Sequence, residues 1–74
     1  MQVSILEPKG TIWEGVVRQV ILPSDEGEMC VLDFHQPFLV KLRKGILQLP
    51  DKKIPLKYGI AFMKGNSLKV FVET

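Results

Sequence analysis

Gln2-Val3-Ser4-Ile5-Leu6-Glu7-Pro8-Lys9-Gly10 decides how the rest of the chain is read. Along an extended backbone Val3 and Ile5 fall on one side and Gln2 and Ser4 on the other, and Pro8-Lys9-Gly10 then supplies a turn. A strand with one apolar face needs a second layer to cover it, so the segment implies a sheet packed on another layer.

The same grammar continues downstream. Thr11 to Glu14 and Val16 to Leu22 read as strands, the latter ending at Pro23, which has no N–H for a central ladder. Gly27 to Leu32 is another. Phe38 to Arg43 puts Phe38, Val40 and Leu42 on one face, with Leu39, Lys41 and Arg43 on the other. Gly45 to Leu49 and Lys52 to Leu56 form a hairpin across Pro50-Asp51, and Gly65-Asn66 marks a turn before a last strand, Leu68 to Val72. Gln36 to Lys44 is the one stretch that competes as a helix, and Pro37 and Gly45 leave it barely two turns. The expected fold is all-β: a single domain over residues 1–74, a small β-sandwich or flattened barrel of eight or nine short strands. No internal repeat or low-complexity tract interrupts it.

With 46% hydrophobic and 24% charged residues, the 74-residue chain has the composition of a soluble globular domain near the lower size limit for folding without disulfides or metals. A net charge of +2 is too small for phosphate binding to be the main activity. The charge is unevenly placed, however. Asp25, Glu26 and Glu28 cluster, whereas Lys41, Arg43, Lys44, Lys52, Lys53, Lys57, Lys64 and Lys69 dominate the second half, which favours an oriented interaction with a partner. The lone Cys30 cannot make an internal disulfide, which fits a reducing cytoplasm. No apolar run is long enough to span a bilayer and no signal-peptide pattern follows Met1, so membrane association is expected only through partners.

Material for catalysis is thin. His35 is the only imidazole and Cys30 the only thiol, and they make a nucleophile and base only if the fold joins them; a buried structural cysteine within Met29-Cys30-Val31 is the expectation. Zinc needs two further ligands beyond this pair. Glu26 and Glu28 share one strand face and suit a cation, an acid and base pair, or a solvated loop and strand end, the last being the expectation, and Gly27 between them allows the positive φ of a sharp turn. No phosphate-cradling glycine pattern is present, and no catalytic residue, cofactor or metal is expected. Trp13, Phe34, Phe38, Tyr58, Phe62 and Phe71 serve as core packing or as stacking platforms for a single-stranded nucleic acid. Core packing is the expectation for all but Trp13 and Phe34, which lie beside turns as candidate anchors for a protein partner. A small β-barrel that binds single strands stays the second reading, supported by the basic second half and the scattered aromatics but without a clustered aromatic and basic face.

Met1 to Gly10, followed by Ile12-Trp13-Glu14-Gly15, resembles the opening of the epsilon chain of F-type ATP synthases, in which a first strand, a Pro-x-Gly turn and an aromatic before x-Gly recur. Val20-Ile21-Leu22-Pro23 leading into Glu26-Gly27-Glu28-Met29-Cys30-Val31-Leu32 is similar to that family's acidic-glycine loop and next strand, and His35, Pro37, Phe38, Leu39 and Gly45 fall where it carries His-x-Pro, an apolar pair and a later glycine. Lys69 to Glu73 matches the last strand of the family's N-terminal β-sandwich. Asp33-Phe34 stands in place of the usual Pro-Gly, and Cys30 in place of a glycine. The resemblance implies a noncatalytic rotor subunit, peripheral at the cytoplasmic face of the membrane, which packs on the gamma subunit and stands on the c-ring. It also implies that Glu26, Gly27, Glu28, Asp33, Phe34, His35 and Pro37 serve protein interaction, the loop Ser24 to Glu28 and the segment Asp33 to Pro37 both lying at the end that meets the c-ring, with Glu28 and His35 toward that one end. The chain stops where the family's two-helix domain begins, so neither braking by helix insertion nor specific ATP binding is expected.

Overall fold

Alternating side chains leave each segment one face to bury, and the computed structural model, which describes all of residues 1–74, satisfies them with strands alone. These are β1 (Gln2–Glu7), β2 (Gly10–Val16), β3 (Gln19–Ser24), β4 (Gly27–Leu32), β5 (Phe38–Leu42), β6 (Gly45–Leu49), β7 (Lys52–Leu56), β8 (Tyr58–Lys64) and β9 (Ser67–Glu73). β1–β2, β3–β4, β6–β7 and β8–β9 are antiparallel hairpins, while β1 and β9 pair in parallel.

One sheet in the order β2-β1-β9-β8-β5-β3-β6-β7, with β4 on β3, curls over on itself. The fold-over is narrow. β5 meets β3 at the single pair Ser24↔Leu42, flanked by bonds from Asp25 N–H to the Lys41 carbonyl (3.1 Å) and from Arg43 N–H to the Pro23 carbonyl (2.9 Å). The two resulting layers enclose Val3 and Ile5 of β1, Val20 and Leu22 of β3, Val31, Leu42, Leu47, Ile54, Met63, Leu68 and Val70. The expected sandwich or flattened barrel is thus present, with nine strands.

Several local expectations change. Val16 to Leu22 is two strands. The chain leaves β2 at Val17, whose N–H bonds the Met1 carbonyl (3.0 Å), and the Arg18 carbonyl accepts from Asp33 N–H (3.1 Å), so both residues serve loops instead of a ladder. Gln36 to Lys44 is not a helix, because Phe38, Val40 and Leu42 turn inward at strand period. β8 has no counterpart among the strands expected from alternation. Tyr58, Ile60 and Phe62 face outward opposite buried Ala61 and Met63, so both of its faces are apolar and no alternation betrays it.

Cys30 is exposed, contrary to expectation. Met29 and Val31 take the inward positions of β4, which obliges Cys30 to point out with Glu28 and Leu32. The aromatic residues also correct the reading. The buried core contains none of them; Trp13 and Phe38 pack at its margin, while Tyr58, Phe62 and Phe71 are exposed. A Cβ on Gly15 would lie 2.8 Å from the Trp13 ring, so the aromatic-x-Gly spacing exists because the indole lies over the glycine two residues on.

Candidate docking surface

The acidic turn is built at the tip of the β3–β4 hairpin. Ser24 pairs with Gly27, whose φ of 122° supplies the expected positive-φ turn, and the Ser24 hydroxyl donates to the Gly27 carbonyl at 2.6 Å. Asp25, Glu26 and Glu28 all project into solvent without an ion-pair partner, the sole ion pair of the domain being that of the Met1 ammonium with Asp33. Arg43 and Lys44 lie alongside, also unpaired. This end of the molecule therefore offers both signs of charge to a polar partner surface.

Asp33, Phe34, His35 and Pro37 lie at the other end of β4. The hairpin register runs from Ser24↔Gly27 to Gln19↔Leu32, which at about 3.4 Å per residue separates its ends by roughly 17 Å. The shortest extent of the domain is 21 Å. Glu28 and His35 consequently lie toward opposite ends of β4, not at one end. His35 Nδ1 lies 2.9 Å from the Gln36 carbonyl and the ring meets Phe38 edge-on at 5.2 Å, so its interactions are local. No three His, Cys, Asp or Glu side chains gather closely enough to hold a metal.

A third surface was not legible beforehand. On the outside of the β1-β9-β8-β5 layer, the register Leu6↔Phe71↔Ile60↔Lys41 forms one row across four strands, and Ser4↔Lys69↔Phe62↔Leu39 the next. Tyr58 adds to them opposite Glu73. Leu39 (70% exposed), Tyr58 (60%) and Phe71 (51%) thus share a face with Ile60 and Phe62 on a domain whose core is already closed. Scattered apolar residues on a surface are ordinary; this many adjacent on one sheet face mark a contact region. Lys41, Lys64 and Lys69 lie on the same face, so an aromatic and basic cluster exists that the linear spacing did not reveal.

Comparison with known proteins agrees with this architecture. The family described as ATP synthase, Delta/Epsilon chain, beta-sandwich domain matches residues 1–74. The ATP synthase epsilon chain of Synechococcus sp. (strain PCC 6716) is 32% identical over 77 residues, covering 99% of this chain and 56% of the relative. The chloroplastic ATP synthase epsilon chain of Tetradesmus obliquus is 34% identical over 77 residues, covering 99% and 57%. The chain therefore spans a little over half the length of these relatives. Among solved structures, a chain of the Tetrahymena thermophila mitochondrial ATP synthase central stalk/c-ring superposes with a TM-score of 0.80 at 14% identity, over 100% of this chain and 63% of that one. A chain from the Euglena gracilis mitochondrial ATP synthase OSCP/F1/c-ring assembly gives 0.83 at 22% identity, over 97% and 49%. These two likenesses establish the fold. With the nine-stranded architecture and the family match along its whole length, the chain belongs to the β-sandwich domain family of the ATP synthase delta and epsilon chains.

Proposed function

We propose that this domain is a noncatalytic connecting part of an ATP synthase rotor, peripheral at the cytoplasmic face of the membrane. It packs its outer sheet face on the gamma subunit, sets its acidic turn against the loops of the c-ring, and so couples ion translocation to ATP synthesis. The observation that carries this reading is the apolar face of Leu39, Tyr58, Ile60, Phe62 and Phe71, an unpartnered surface on a family member whose relatives are named ATP synthase epsilon chains. Rigid transmission suits the construction, because two layers share one core and the loops between strands are short. None of residues 1–74 is helical, and neither braking by helix insertion nor specific ATP binding is part of the role proposed for this domain.

Two substitutions in the assembled enzyme test the assignment. Glu28→Lys leaves an exposed position folded and is expected to lower ion pumping per ATP hydrolysed; normal pumping in an assembled enzyme removes the acidic turn from the ring contact. The pair Phe62→Ser and Phe71→Ser is expected to weaken binding to a gamma-containing catalytic head depleted of this subunit, and unchanged affinity overturns the assignment of the outer face.

The aromatic and basic composition of that face also favours a second reading, binding of single-stranded nucleic acid by stacking. Titration with an oligothymidylate decides between them. Affinity that falls steeply with salt supports the second reading, and its absence leaves protein docking.

A further inference from the structure

The turn Leu32-Asp33-Phe34-His35 is closed by His35 N–H donating to the Leu32 carbonyl at 3.1 Å, and Phe34, its third residue, has a φ of 61°. Left-handed backbone at this place in a turn suits glycine or asparagine, and a phenylalanine is opposed by its own Cβ. Burial does not repay that strain, since Phe34 is 80% exposed and belongs to no part of the core.

The backbone around it is held from several directions. Asp33 N–H donates to the Arg18 carbonyl (3.1 Å), and its carboxylate pairs with the Met1 ammonium. Phe34 N–H donates to Asn66 Oδ1 (2.7 Å); Asn66 is itself left-handed (φ 55°), and its carbonyl takes Gln2 N–H at 3.1 Å. The three backbone N–H groups of Asp33, Phe34 and His35 and the Asp33 carboxylate are thus tied to the domain, and the Phe34 ring is left facing solvent. The same ties bring exposed Val16 and Leu32 to this end, with Arg18 and Lys64 as its cations, while the one local carboxylate, Asp33, is already paired. A contact built to these features is apolar at its centre and acidic at its rim.

We propose that Phe34 is a preorganised docking anchor, held in a strained turn so that its ring enters an apolar, carboxylate-rimmed pocket on the gamma subunit. The proposal rests on the docking role given above. The acidic turn assigned above to the c-ring lies at the opposite end of β4, roughly 17 Å from this turn. Gamma is favoured because the turn borders the outer face through Asn66, whose neighbours Lys64 and Ser67 pair at the end of that face. Fixing the ring in advance removes part of the ordering cost of association, which is where such strain is recovered.

The test uses the full chain, wild type and with Phe34→Gly or Phe34→Asn, both of which accept left-handed backbone. Melting temperature and affinity for a gamma-containing catalytic head depleted of this subunit are measured side by side. Both variants are expected to melt higher than wild type and to bind about tenfold more weakly or worse. Higher melting with unchanged affinity overturns the anchor and leaves bare strain. Lower melting in both overturns it too, because the ring then stabilises the free domain. If wild type itself does not bind the head, the docking reading fails and the anchor with it. If Phe62→Ser weakens binding while Phe34→Gly does not, docking stands and the anchor alone is wrong.

Discussion

Ile5 is wholly enclosed between the two layers, with no solvent-accessible surface. An aspartate there has no partner within a hydrocarbon core, and such a buried charge costs on the order of several kcal/mol. A domain of this length is stable by roughly 4–11 kcal/mol, so Ile5→Asp is expected to unfold it; a native circular dichroism spectrum and a cooperative melt for that variant would place Ile5 elsewhere. Cys30 supplies the opposite test. Since it lies outward on β4, native protein is expected to react with a thiol reagent at a rate close to that of denatured protein, and protection in the native state would return the thiol to the interior.

At the scale of elements, the hairpins are settled by local chemistry and the centre of the large layer is not. β6 and β7 fall where Pro50-Asp51 separates two runs, with Leu47 and Leu49 facing Ile54 and Leu56 inward. Edge strand β7 carries exposed Lys52, Lys53 and Pro55, residues that discourage a further strand from adding to it. β8 lies between β5 and β9 and is apolar on both faces, which hides it from a search for alternation. Its approach to β9 depends on Gly59, where a Cβ would stand 2.5 Å from the Phe71 carbonyl oxygen. Gly59→Ala is therefore expected to destabilise by about 1–3 kcal/mol through forced separation of the two strands, read as a lower denaturation midpoint with an unchanged slope. An unaltered midpoint shows that the pair relaxes without loss.

The whole molecule is one curled sheet whose two layers close over a common core, joined by the pairing of Ser24 with Leu42. Because neither layer has a core of its own, unfolding is expected to be two-state, with Trp13 fluorescence and far-ultraviolet circular dichroism giving the same midpoint. Separate midpoints would mean that the layers come apart independently. Closure also assigns the aromatic residues. With the interior filled by Val, Leu, Ile and Met, the larger rings of Tyr58, Phe62 and Phe71 remain on the outside as contact surface.

Alternation of side chains and the placing of glycine and proline determined the all-strand architecture, the inward position of Val3 and Ile5, the Pro50-Asp51 hairpin and the positive φ of Gly27, because each depends on neighbours within a few residues. The acidic turn was legible for the same reason. Which apolar residues stay outside was not, since Leu39, Ile60 and Phe71 become adjacent only through pairings among β5, β8 and β9 that join distant parts of the chain. Nor was the separation of Glu28 from His35, seven positions apart in sequence. They part because β4 is extended for its full length between them, and the distance between two residues follows from the path of the backbone, not from their spacing along it.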